Sequence, residues 1–213
     1  MNAVRLIQEI ADKNFDVDWF VKLSNGNNQI RDEIVYHMTT NPDIMVYYHC
    51  YYFLSKASQE QPESYYPYWD EIADLLNHSN SYHRDSALTI IGNLSKVDKH
   101  NKFADIEGRY FELINDPKFM TGNCCVQNCL KIYQHKTELR ETIIELLLDL
   151  DKRCGYSDKQ IGVLKCDVLE IFDEIYEQEQ NKDRIHAFIK AEVNCINPKT
   201  RKKAGELVRK YKL

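Results

Sequence analysis

Five short breaks divide the sequence at nearly even intervals, and no other feature restricts the fold as strongly. They are Asn41-Pro42, Asn80-Ser81, Asp116-Pro117, Ser157-Asp158 and Asn197-Pro198, with first residues 39, 36, 41 and 40 positions apart. Each begins with a side chain able to accept a hydrogen bond from the free amides of a helix N-terminus. Three continue with proline, whose fixed φ and missing amide suit the first helical turn. Each break therefore predicts the start of a helix.

Apolar residues follow the breaks at matching offsets. Seven positions on stand Ala87, Leu164 and Ala204; at eleven stand Ile91, Val168 and Val208; at fourteen stand Leu94, Ile171 and Tyr211. Steps of four and three trace one face of a helix. After the first break the series runs one residue short, through Tyr47, Cys50, Tyr51 and Leu54. After the third it runs about two residues long, through Cys125, Cys129 and Ile132. The segments FLSKAS at 53–58 and NLSKVD at 93–98 repeat one another 40 residues apart.

A second apolar-periodic segment precedes each break: Ile30 to Met38, Trp69 to Leu76, Ile106 to Ile114, Leu139 to Leu150 and Ile185 to Val193. The unit is thus a helical hairpin of about 40 residues, which cannot bury its apolar stripes alone, so neighbouring hairpins must stack. The expected fold is all-α, a right-handed α-α superhelix of about six helix pairs in one domain over residues 1–213. Capping helices are expected over 1–25, and pairs over 26–60, 61–98, 99–136, 137–180 and 181–213.

Composition agrees with a helical fold. Seven glycines and five prolines in 213 residues leave little turn chemistry for a hairpin-rich β fold. Charged residues form 29% of the chain and the net charge is -5, an ordinary polar surface that excludes neither a protein nor a nucleic-acid partner. No apolar run approaches the roughly 20 residues of a membrane span. Met1 to Asp12 lacks the apolar core of a signal peptide, so a cytoplasmic location without membrane association is expected. The seven cysteines are odd in number and mostly embedded in helical patterns, the usage of a reduced compartment where thiols pack as small apolar groups. In CCVQNC, Cys125 and Cys129 share a helical face, but no CxxC pair or properly spaced histidines complete a tetrahedral site; no metal or cofactor is expected.

The period and the paired helices resemble HEAT and armadillo-type repeats, over about residues 26 to 213. HEAT units often carry an aspartate in the inter-helix turn and a basic residue early in the second helix. Asp116 and Asp158 stand at such turns, and Arg84 and Arg201 lie early in second helices, whereas the first repeat has neither in clear register. The resemblance implies a HEAT-like solenoid whose second helices line a concave, partner-binding face.

On that face the stretch VYYHCYYFL, residues 46–54, is the densest aromatic segment. Register turns Tyr47, Cys50, Tyr51 and Leu54 to the core and leaves Tyr48, His49 and Tyr52 on the remaining surface. Those three would either anchor a protein or peptide or pack against the N-terminal helices and the next repeat. In SYYPYWDEI, residues 64–72, Trp69 begins the next core stripe and Tyr65, Tyr66 and Tyr68 are expected to cover the inter-repeat loop. The same face continues through Thr89 and Asn93, then Asn123, Gln127 and Lys131, then Asp167, Glu170 and Glu174, and ends at Lys203, Glu206 and Lys210. Candidate partner-binding residues are Tyr48, His49, Tyr52, Asn93 and Gln127.

From Pro198 to Leu213 there are seven basic residues and one acid, a net of +6 against -11 for the remainder. Arg201, Lys202 and Lys203 could contact nucleic-acid phosphates; equally, the segment could cap the end of the solenoid or complement the acids between Asp167 and Glu179. No glycine-rich phosphate loop, nucleophile elbow, HExxH or Walker pattern is present, and His78 and His83 flank one turn without further catalytic company. The function expected is a non-catalytic protein-binding scaffold or adaptor. The alternative is a nucleic-acid-binding module or a glycosylase similar to the DNA alkylation-repair enzymes built on HEAT-like repeats. Those enzymes surround an extruded base with tryptophans, an aspartate and a basic residue; the tryptophans here, Trp19 and Trp69, match no such set.

Overall fold

The computed structural model describes residues 3–180 and 182–213. Met1 and Asn2 of the expected cap, and Asn181 at the head of the last expected pair, lie outside the described residues. All regular elements among the described residues are helical. In chain order they are α1 (Ala3–Ile10), α2 (Val17–Gly26), α3 (Asn28–Thr40), α4 (Ile44–Glu60), α5 (Pro62–Tyr65), α6 (Trp69–Asp74) and α7 (Ser81–Leu94). There follow α8 (Glu107–Glu112), α9 (Phe119–His135), α10 (Arg140–Leu148), α11 (Leu150–Arg153), α12 (Asp158–Ile175), α13 (Asp183–Glu192) and α14 (Pro198–Tyr211). Tight 3₁₀ turns extend α6 over Leu75–Asn77 and α8 over Leu113–Asn115. No helix among the described residues is long and apolar enough to cross a membrane.

The helices that follow the five breaks, the expected second helices, are α4, α7, α9, α12 and α14, and their caps correct two of the five expected starts. Asn80 and Asn197 cap α7 and α14 with their side chains, and Ser157 forms a capping box with Gln160 at α12. At the first break the cap is Asp43, whose Oδ1 accepts from Met45 N at 2.9 Å, while Asn41 makes a turn onto Asp43 N, also at 2.9 Å. At the third, Asp116 likewise closes a turn onto Lys118 N at 2.7 Å, and α9 starts from Lys118 without a side-chain cap. The true caps, at 43, 80, 118, 157 and 197, stand 37, 38, 39 and 40 residues apart.

Counted from these caps, the apparent slips of register vanish. Offset seven holds Cys50, Ala87, Cys125, Leu164 and Ala204; offset eleven holds Leu54, Ile91, Cys129, Val168 and Val208; offset fourteen holds Ala57, Leu94, Ile132, Ile171 and Tyr211. All are buried except Val208 and Tyr211, which are half-buried. One stripe of each second helix is therefore closed off by apolar contact, the main source of helical stability in water.

The helices group into two compact units, Met1–Phe111 and Glu112–Leu213. In the first, α4 packs against α2, α3 and α7, and α7 against α6. Phe20 and Phe53 stack at 4.6 Å in its core, and the buried Tyr110 donates to Leu88 O at 2.8 Å. Tyr65, expected over a loop, is 1% exposed and donates to Ser24 Oγ at 2.9 Å and Asn25 Oδ1 at 2.8 Å. It ends α5 and belongs to the core, its ring lying under Arg31 at 5.2 Å.

In the second unit, α12 lies between α9 and α14, and α13 packs on α14. Gly122 lets α9 close onto the turn before it: a methyl there would sit 2.8 Å from Ile114 O and against the Tyr156 hydroxyl. Within both units, side-chain hydrogen bonds join residues about one period apart. Tyr51 reaches Thr89 across 38 residues and Asn93 reaches Ser55 across 38; Tyr156 reaches Asp116 across 40, Gln127 reaches Asp167 across 40 and Thr200 reaches Gly162 across 38.

Candidate interaction surfaces

In the first unit, α4 buries its core stripe against α3 and α7 and leaves Ile44, Tyr48 and Tyr52 one turn apart along its open side. Ile44 is 46% exposed and Tyr52 43%, and Tyr82 from the first turn of α7 joins them at 41%. The rings interlock edge to face: Tyr48 and Tyr52 have centroids 4.8 Å apart at 64°, and Tyr48 and Tyr82 5.0 Å apart at 66°. The Tyr52 hydroxyl donates to the Tyr48 hydroxyl at 3.0 Å. That hydrogen bond, followed by burial, raises the Tyr48 phenol above its usual range, so it stays neutral. Tyr51, expected in the core, is only half-buried beside them, with its hydroxyl 3.3 Å from Thr89 Oγ1. Tyr82 and Ile44 were not foreseen; counted from the true caps they fall at offsets two and one, on the first turns, which later helices do not cover.

His49 and Asn93 do not belong to this surface. His49 is 6% exposed, with Nδ1 2.6 Å from Ile10 O and its ring stacked on Phe15 at 3.9 Å. It ties α4 to the N-terminal helix. Asn93 is 7% exposed, and its amide donates to Ser55 O at 2.8 Å and Ser58 Oγ at 2.9 Å, cross-linking α7 to α4. A buried polar side chain keeps its place only with such partners. Thr89 is buried as well.

Gln127 is exposed on α9 and donates to Asp167 Oδ2 at 3.1 Å across to α12. With Leu130, Glu170, Ile171 and Glu174 they line a cleft of about 330 Å³. Burial lifts the Asp167 carboxyl above its ordinary value, against the hydrogen bond from Gln127. On α9, burial likewise depresses Lys131. A second cleft of about 330 Å³ lies at the end of α13, where Lys165 Nζ spans Asp151 and Glu192, both at 2.8 Å. Its lysine charge is already matched.

The basic residues of α14 are largely engaged. Arg201 Nη1 donates to Cys195 O at 2.7 Å and Ile196 O at 3.0 Å, just as Arg84 Nη1 grips His78 O at 2.6 Å and Ser79 O at 3.0 Å. Each arginine stands four residues after its asparagine cap and staples the inter-helix turn. Lys203 and Lys210 pair with Asp173 at 3.0 and 2.6 Å, and Tyr211 donates to it at 2.6 Å. Burial alone would raise the Asp173 carboxyl, but these three donors hold it down at about 2. Lys202 is exposed. His83 is buried against His78, with ring centroids 4.2 Å apart; burial first and the neighbouring ring second lower it to about 4.

No protein-family model matches the chain, and no curated protein matches it. Two crystal structures of engineered proteins, both targets of the Northeast Structural Genomics Consortium, are similar to it in fold. One covers 100% of this chain and 97% of its own at 12% identity and a TM-score of 0.54. The other covers 96% of each at 13% identity and a TM-score of 0.52. At that identity the likeness concerns the path of the helices and nothing of their surfaces.

Proposed function

We propose that the chain is a helical-repeat solenoid of HEAT or armadillo type that acts as a non-catalytic scaffold or adaptor, holding a protein or peptide on its second helices. The repeat part is supported by caps 37 to 40 residues apart and by the shared buried offsets. The binding part rests on one observation: Tyr48, Tyr52 and Tyr82 form an aromatic cluster across α4 and α7 in which Tyr52 and Tyr82 are exposed and Tyr48 is half-buried. Aromatic rings left together in water are the usual anchors of protein interfaces, since they bring large area at little entropic cost.

The test is affinity capture from the native host with wild type and with Tyr48→Ala/Tyr52→Ala, followed by mass spectrometry. A partner recovered with wild type and lost with the variant is expected. A partner recovered equally with both would remove these tyrosines from the binding surface.

A further inference from the structure

Resting on that reading of the tyrosine surface, we infer that its partner presents a basic segment whose arginine side chains lie over the rings of Tyr52 and Tyr82. The molecule shows the pairing elsewhere. Arg31 lies over Tyr65 at 5.2 Å, Arg140 over Tyr133 at 4.9 Å, Lys182 over Tyr176 at 4.2 Å and Lys210 over Tyr211 at 5.0 Å. Among the described residues no cation lies over Tyr48, Tyr52 or Tyr82. Tyr52 and Tyr82, the two rings named, are the exposed ones, and a guanidinium stacks on an exposed ring more readily than a strongly hydrated ammonium does.

Charge points the same way. Residues 1–111 hold 10 Lys or Arg and 16 Asp or Glu, a net of -6, whereas residues 112–213 hold 18 and 17, a net of +1. Near the rings, Asp43 caps α4 one residue before Ile44, and Asp16 adjoins Phe15, whose ring is 6.2 Å from Tyr52. Lys56, one turn beyond Tyr52 on α4, is held by Asp18 at 2.6 Å. A cationic segment thus meets an attractive field at the rings, which steers its approach. A proline-rich segment fits less well. It needs slots between aromatic rings, and here the edge-to-face contacts of Tyr48 with both Tyr52 and Tyr82 fill those slots.

The test is fluorescence anisotropy with a labelled glycine-arginine peptide, its citrulline counterpart, which keeps the shape and drops the charge, and a proline-rich peptide of equal length. Each is titrated into wild type, Tyr52→Ala/Tyr82→Ala and Tyr52→Phe/Tyr82→Phe, with helical content checked by circular dichroism. The arginine peptide should bind, citrulline should weaken it about tenfold or more, the alanine pair should weaken it about fivefold to tenfold, and the phenylalanine pair should stay within about twofold because the ring faces remain. Arginine binding that survives the alanine pair belongs to the diffuse acidic surface and overturns the inference, as does equal or tighter binding of the citrulline or proline-rich peptide. If arginine peptides fail while a host partner still depends on Tyr48 and Tyr52, the basic partner is wrong and the docking reading stands. If the host partner is also indifferent to the tyrosines, both fall.

Discussion

The helices α4 and α7 of the first unit and α12 and α14 of the second carry different surface chemistry. In the first, α4 and α7 present Tyr48, Tyr52 and Tyr82, which partner one another, with Tyr52 and Tyr82 exposed and Tyr48 half-buried. In the second, α12 presents carboxylates, and α14 answers them: Lys203, Lys210 and Tyr211 converge on Asp173, and Lys199 approaches Glu170 at 3.8 Å. The carboxylate of Asp173 on α12 is satisfied from α14, whereas Tyr52 and Tyr82 contact other rings and still stand exposed.

The largest expected effects test whether both units share one buried register beneath these different surfaces. Ile91→Ala in the first and Leu164→Ala in the second should each cost about 2–5 kcal/mol in urea denaturation, as truncations of fully buried side chains. A loss below a few tenths of a kcal/mol in either would break the common register.

That register was legible in the sequence wherever the cap is its own acceptor, as at Asn80, Ser157 and Asn197. It was misplaced where two acceptors stand two residues apart: Asn41 and Asp43 both offer an oxygen, and the chain uses the first for a turn and the second for the cap. At Lys118 the cap has no side-chain signature at all. The tyrosine surface was partly legible, since Tyr48 and Tyr52 stand clear of the stripe. His49 was not, because its burial depends on Ile10 O and Phe15, more than 30 residues away and outside the repeat. Asn93 was missed because its partners, Ser55 and Ser58, sit on the preceding second helix, where only three-dimensional packing sets the rotation of one helix against another.

Smaller effects sharpen the contrast. Gly122→Ala should destabilise by about 1–3 kcal/mol, because the added methyl must displace both Ile114 O and the Tyr156 ring. Unchanged stability would mean that α9 sits farther from the turn. Asp173→Asn should cost about 1–2 kcal/mol at neutral pH. The sign follows from its carboxyl at about 2, below its ordinary value. Its contribution is complete above the unfolded value near 4, and is lost as pH falls through about 2, so the variant should flatten the wild-type decline in that acid window. An identical acid limb in both proteins would remove the α12–α14 charge cluster from the account. Smallest of all, Arg201→Ala/Lys202→Ala/Lys203→Ala should leave association with duplex or single-stranded DNA at low salt unchanged, since Arg201 and Lys203 serve the fold. Wild-type binding that vanishes in the variant would instead favour a nucleic-acid surface on α14.

Hydroxyl-radical footprinting of the wild-type protein, free and bound to its captured partner, compares the two surfaces in one measurement. Strong protection of Tyr52 and Tyr82 is expected, with the reactivity of the half-buried Leu130 beside the carboxylate cleft unchanged. Protection of Leu130 with the tyrosines as reactive as in the free protein would contradict it.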